Sequence, residues 1–371
     1  MTMWKILFWT AAALGAASLV FLAARMPGLT GLRPRSRLGR FCAFSAGLAC
    51  VAGATAALGL ALGKVNAFVC LLHAAAIWAA FDLASWLFSK LSGARISPRA
   101  SGLAALTATL AVLSCGWYLE HNVWQTRYEL ATHKSVPALR VAIIADVHLG
   151  TTFNARGFAR HLSRIEAASP DLLAVVGDYV DDDTTREDML EATRALGRVK
   201  TTHGVFFVSG NHDRGYYGPT YRGFSEAELF QALEAAGVRV LQDEAVALGQ
   251  AFYLVGRRDR SASRVPAAEL LAGLERARYA IVLDHQPADF DSEAAAGADL
   301  VLCGHTHGGQ LFPFNRAGRW IGANDLVYGH ERRGATDFVV TSGISNWALK
   351  FKTGTKSEFV IVDVKPARGG P

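Results

Sequence analysis

The sequence predicts an α/β domain placed after a bundle of about four transmembrane helices. Three observations carry that expectation. Four long apolar stretches occupy the first 120 residues. From Arg140 onward, short β-branched runs alternate with helix-like stretches. Several of those runs stop at a glycine, and a carboxylate, an amide or a histidine follows closely.

The apolar stretches are residues 4–24, 41–62, 66–88 and 103–119. Each approaches the roughly 20 residues that a helix needs to cross the hydrocarbon core. A cleaved signal peptide would explain the first but not three more, and the stretches lack the polar face of a soluble amphipathic helix. A hydrophobic content of 51% in 371 residues fits a chain that is only partly water-facing. The loop between the first two stretches carries Arg25, Arg33, Arg35, Arg37 and Arg40, and the loop between the third and fourth carries Lys90, Arg95 and Arg99. By the positive-inside rule these loops are cytoplasmic. Both termini, and with them the C-terminal domain, then face outward from a bacterial inner or cell membrane. His73 and Asp82 are ionisable groups inside the third stretch. Asp82, near one end, is expected to reach the interface.

Charge separates the two regions. Residues 1–140 hold 13 Lys/Arg against 3 Asp/Glu, and residues 141–371 hold 25 against 29. The net +6 therefore belongs to the N-terminal region, and no broad basic face is implied for the rest, which argues against a nucleic-acid partner. Cys42, Cys50, Cys70 and Cys115 lie in the apolar region and only Cys303 lies beyond, so the second region can form no internal disulfide. Residues 1–119 read as the transmembrane region, 120–139 as a polar linker, 140–365 as the α/β domain and 366–371 as a tail.

Within the domain, "RVAIIA", "LLAVV", "GVFFVS", "FYLVG", "YAIVLD", "DLVLCG", "FVVTSG" and "EFVIVDV" read as strands, with helices over 155–168 and 226–236 between some of them. Ligands in α/β folds gather at the C-terminal ends of strands. Asp146 and His148 follow the first run, Asp178 the second, and Asn211, His212 and Asp213 the third. His285 follows "AIVLD", and His305 and His307 follow "DLVLC" on what reads as an extended segment. Singly, each is a helix cap or a surface imidazole; together they are a ligand set. Carboxylates and imidazoles with one amide oxygen suit Mn, Fe, Zn or Co. Calcium prefers all-oxygen sites and structural zinc prefers cysteines. Seven candidate ligands suit two ions sharing a carboxylate. The glycines beside them are expected to clear space where backbone approaches metal or phosphate.

In this order D-x-H, G-D-x-x-D, G-N-H-D, a lone H and G-H-x-H resemble the calcineurin-like metallophosphoesterase superfamily. "GHTHGGQLFP" and "VVTSGISNW" resemble its bacterial, membrane-associated YaeI-like or YkuE-like subfamily. The resemblance implies a four-layer αββα sandwich with a dinuclear site. It implies that Asp146, His148 and His307 hold one divalent transition-metal ion, that Asp178 bridges, and that Asn211, His285 and His305 complete the second. His212 would stabilise phosphoryl oxygens or protonate the leaving group, with Asp213 orienting it, while a metal-activated hydroxide attacks phosphorus. The expected substrate is a phosphate ester (a phosphodiester or pyrophosphate), with a phospholipid or lipid-linked head group included in the class. Soluble nucleotides or phosphomonoesters, and a non-enzymatic sensor or scaffold, are the alternatives. No protein partner is predicted. G-D-x-x-D without a following arginine, and G-N-H-D in place of G-N-H-E, depart from the Ser/Thr protein phosphatases of the superfamily. A likeness to the UDP-diacylglucosamine hydrolases conflicts with the outward topology, because their substrate is cytoplasmic. Arg257, Arg258, Arg260 and Arg264 suit either phosphate recognition or an exposed loop, and "NWALKF", with Trp347 and Phe351, suits either an apolar lip or core.

Overall fold

The computed structural model describes residues 3–31 and 34–367. The chain divides into two compact units, Met1–Trp117 and Tyr118–Pro371. Arg33 and residues 368–371 of the expected tail lie outside the described residues.

The first unit holds α1 (Met3–Thr30), α2 (Arg37–Leu62), α3 (Lys64–Ser92) and most of α4 (Pro98–His121). All four are long and apolar enough to cross a membrane. Small residues let the helices approach one another: a Cβ on Gly47 would lie 2.6 Å from the Ala23 carbonyl oxygen. Helix α1 runs on to Thr30, so Arg25 lies on the helix and not in the following loop. There it pairs with Asp82 of α3 at 3.0 Å. Asp82, expected to reach the interface, thus also has a partner on a neighbouring helix.

The second unit contains two six-stranded sheets. In chain order the strands are β1 (Val123–Thr132), β2 (Leu139–Ile144), β3 (Leu172–Val176), β4 (Val205–Val208), β5 (Val238–Val240), β6 (Glu244–Leu248), β7 (Phe252–Gly256), β8 (Tyr279–Leu283), β9 (Leu300–Cys303), β10 (Gly329–Arg333), β11 (Thr336–Val340) and β12 (Ser357–Pro366). The first sheet runs β1-β12-β2-β3-β4-β5 and the second β10-β11-β9-β8-β7-β6.

Alternation along the strands makes the four layers. Val141 and Ile143 of β2 join Ile281 and Leu300 of the other sheet in one apolar core between the sheets. Ala142 and Ile144 point the other way, onto α5 (Ala155–Ala167) and α6 (Arg186–Leu196), through Phe158, Leu162 and Met189. On the far side, Val282 and Val301 pack against Leu271 and Phe290 from two short helices. The result is the expected αββα sandwich.

Two boundaries differ from expectation. Residues 120–139 are not a linker, because they contain β1, which pairs in parallel with β12 along ten residues. Alternate side chains of β1 face solvent, which gives the segment its polar composition. Asp363 of β12 accepts from Arg127 of β1 and Arg140 of β2, each at 2.7 Å, and so ties three strands together. At the other end Pro366 closes β12 and does not begin a tail.

The arginine-rich run after β7 is neither a phosphate clamp nor wholly exposed. Arg257 is buried and its Nη1 lies 2.9 Å from Asp284, 2.8 Å from Asp289 and 3.0 Å from Glu293. Arg264 also reaches Asp284 at 2.9 Å, while Arg258 and Arg260 stay exposed. Asp284 directly precedes His285, so this ion cluster anchors the end of β8. Removing one partner of a buried ion cluster leaves uncompensated charge, at a cost of about 3–5 kcal/mol. Arg257→Met is therefore expected to destabilise the detergent-solubilised chain by about that amount in urea unfolding, with Glu293→Gln in the same chain restoring part of it. An unchanged transition in Arg257→Met would show that the cluster does not stabilise the sheet.

Candidate metal centre

The two sheets bring their strand ends together. β2, β3 and β4 are parallel neighbours in the first sheet, and β8 and β9 are parallel neighbours in the second. Every site residue expected from the sequence lies within five residues after one of these strands. The ligand atoms of Asp146, His148 and His307 lie within 4.8 Å of one another, and so do those of Asp178, His285 and His305. Asp178 joins the groups, because its Oδ2 is 3.0 Å from His285 Nε2 and 3.7 Å from His148 Nε2.

Hydrogen bonding decides which ring atom faces inward. His285 Nδ1 lies 2.8 Å from the Val176 carbonyl, which only accepts, so Nδ1 carries a proton and donates it there. His148 Nδ1 faces Asp181 Oδ2 at 3.2 Å. What remains is a set of buried atoms without hydrogen-bond partners, His148 Nε2, Asn211 Oδ1, His305 Nδ1 and His307 Nδ1, while His285 Nε2 faces the Asp178 carboxylate at 3.0 Å. A buried polar atom left unmade costs about 1–3 kcal/mol, and a cation held by the two ligand groups would satisfy those atoms that face it. The donor set fits divalent transition metals.

Electrostatics agrees with that fit. Burial pushes the Asp146 carboxyl up to about 6. Burial works on Asp178 in the same direction, but the imidazolium of His285 pulls it well below the usual carboxylate range. His285 answers in kind: burial opposes its charge and Asp178 raises it well above an ordinary imidazole. Burial also lowers His305, to about 4, and depresses His307 strongly.

The backbone is strained where the side chains converge. Asp146, His148, Asp178, His305 and His307 have φ of 54°, 38°, 51°, 72° and 50°, the left-handed region that costs a non-glycine residue about 1–3 kcal/mol. His305 and His307 are therefore not on an extended segment as expected, and His307 opens a single 3₁₀ turn to Gly309. They still serve different groups, His305 with Asp178 and His307 with Asp146. The glycines clear space for side chains of the centre itself. A Cβ on Gly210 would sit 2.2 Å from Asp178 Oδ1, and one on Gly304 would sit 2.7 Å from Asp146 Oδ2. They make room for carboxylates from neighbouring strand ends.

Asp213 does not orient His212. Its carboxylate accepts from the backbone N–H groups of Asp178, Tyr179, Val180 and Gly210 at 2.7–3.0 Å, and so holds the Asp178 turn in its left-handed form. His212 Nδ1 has no hydrogen-bond partner, and its ring stands 4.9 Å from that of His148. Three further residues had no assigned role in the sequence. Asp181, the second acid of G-D-x-x-D, fixes His148. Tyr216 Oη accepts from Asn211 Nδ2 at 2.9 Å, which turns Asn211 Oδ1 the other way. Lys352 is fully buried and donates to the carbonyls of Ser342 and Ser345 at 2.7 and 2.8 Å, bracing the loop that covers Asp146. Only Asp181 had a motif to signal it. "NWALKF" divides: Phe351 is buried, and the half-exposed Trp347 stands 5.2 Å from the His212 ring.

The profile of the calcineurin-like phosphoesterases matches residues 139–309. A metallophosphoesterase of Aquifex aeolicus is 31% identical over 194 residues, which cover 50% of this chain and 70% of that protein. The chain belongs to the calcineurin-like phosphoesterase family. A Campylobacter jejuni metallophosphoesterase is 27% identical over 232 residues, covering 61% of this chain and 59% of its own. A Danio rerio transmembrane protein with a metallophosphoesterase domain is 28% identical over 250 residues, covering 63% and 55%. The match thus spans less than two thirds of either of these two relatives.

The Asp213 bonds generate a direct test. Asp213→Ala strands four buried N–H groups and is expected to destabilise the chain by about 3 kcal/mol, with Asp213→Asn in between, since an unmade buried donor costs about 1–3 kcal/mol. Equal urea midpoints for wild type and Asp213→Ala would contradict this role.

Proposed function

We propose that the chain is a membrane-anchored phosphoesterase whose C-terminal domain hydrolyses a phosphodiester or pyrophosphate with two divalent transition-metal ions. The gathering of two carboxylates and four imidazoles into two ligand groups joined through Asp178 carries this reading. Asp146, His148 and His307 would hold one ion, Asn211, His285 and His305 the other, and Asp178 both. When bound, such ions supply Lewis acidity and an activated water for displacement at phosphorus.

The remaining steps belong to the chain. Asp181, Tyr216 and the Val176 carbonyl aim ligand atoms inward, so the donor set is ordered before an ion arrives. His212 is the buried polar side chain left for substrate. Burial lowers its imidazole, and dications nearby would lower it further, so it offers an N–H to a phosphoryl oxygen and keeps its proton. Trp347 beside it would shield that contact from water. The four membrane-capable helices support anchoring. Arg35, Arg37 and Arg40 in and after one connection, and Lys90, Arg95 and Arg99 around another, support an outward-facing domain.

His212→Ala, in the full chain loaded with manganese, tests this assignment. Losing one preorganised donor slows turnover by about 10²–10³-fold. The loss is expected to be equal for diesters with a p-nitrophenolate and with an alkoxide leaving group. A defect confined to the alkoxide would make His212 a general acid. Turnover of p-nitrophenyl phosphate with no turnover of any diester would favour a monoesterase and defeat the proposal.

A further inference from the structure

Large apolar side chains are sparse on the outside of the C-terminal unit, and they are not scattered. Among the described residues after Tyr118, every exposed one falls in three loops: three tyrosines within 216–221, four residues within 312–321, and Trp347. The most exposed are Tyr217 at 72%, Phe314 at 70% and Ile321 at 78%. The first loop leaves His212 and Asp213, and the second leaves His307. The third is joined to the second by Gln310, whose Nε2 donates to Asn346 at 2.8 Å. Tyr216 and Trp347 stand 5.0 and 5.2 Å from the His212 ring. Tyr216 and Trp347 therefore border the candidate centre, the other exposed apolar residues lie on the loops that lead from it, and the rest of the unit's described surface lacks them.

Arg214, Arg316 and Arg319 are exposed within the same loops, Arg319 beside Glu331 at 3.2 Å. Aromatic rings interleaved with arginines are the composition of surfaces that sit in the headgroup layer, with rings at the acyl boundary and cations on anionic lipid. The chain also supplies the tether. Helix α4 ends at His121 and β1 begins at Val123, so one residue separates a membrane-capable helix from the domain.

We propose that these three loops dock in the headgroup layer of an anionic bilayer, so that the centre takes its phosphate ester from the membrane surface. The proposal rests on the membrane anchoring proposed above and names where the substrate is met. The test uses the full chain with its native cysteines replaced by alanine. Single cysteines at Tyr217, Phe314 or Ile321, and controls at the exposed Glu234 and Glu275, carry an environment-sensitive fluorophore. The protein is reconstituted into phosphatidylcholine vesicles with and without phosphatidylglycerol. The three loop positions are expected to blue-shift and to be quenched by nitroxide-bearing lipid several-fold more than the controls, more strongly with phosphatidylglycerol present. Phe314→Ser combined with Trp320→Ser and Ile321→Ser should abolish the quenching at position 217 while leaving turnover of bis-p-nitrophenyl phosphate in detergent unchanged. Loop positions as water-exposed as the controls would overturn docking. Shielding that follows protein density and ignores lipid quencher would also overturn it, in favour of a second copy of the chain. Fluorescence needs no catalysis, so an inactive but docked protein would refute only the proposed activity.

Discussion

Asp178 carries a fully buried carboxylate on a left-handed turn, and a chain tolerates neither feature without outside support. The backbone strain is met by Asp213, whose two oxygens collect four N–H groups from Asp178, its two followers and Gly210. The charge is met from two sides at once, by His148 from the first sheet and His285 from the second. The space is met by Gly210, where any side chain would strike the carboxylate. These supports come from three strand ends, those of β2, β4 and β8, so the site exists only when both sheets are packed. The inter-sheet core of Val141, Ile143, Ile281 and Leu300 is therefore a precondition of the metal centre as well as of stability.

The order in which the fold could be read follows from this layering. The eight strands visible as apolar runs are β2, β3, β4, β7, β8, β9, β11 and β12. The four that were not, β1, β5, β6 and β10, are the four sheet edges. Interior strands are covered on both faces and become nearly continuous apolar runs. Edge strands are short, as β5 is, or carry exposed charge, as "VWQTRYELAT" and "GHERR" do. The sandwich was thus legible from its middle outward, and β1 passed for a linker.

The site shows the same division. Residues that face the centre stand out because a histidine or carboxylate at the end of an apolar run has no packing reason to be there. Residues that hold those ligands have ordinary local surroundings. Nothing marks Tyr216 or Lys352 in one dimension, since the amide and the carbonyls they bind are brought to them only when their own loops fold back. Asp213 was noticed for its place in G-N-H-D and assigned to the adjacent imidazole. Its geometry serves a turn 35 residues away in sequence.

The central claim is that one carboxylate serves two ions, and paramagnetic resonance of the manganese-loaded full chain tests it most directly. Two ions joined through Asp178 are expected to give the multiline spectrum of an exchange-coupled pair, and Asp178→Asn is expected to lose it. A fully loaded wild-type chain that shows only the simple hyperfine pattern of isolated ions would contradict the account.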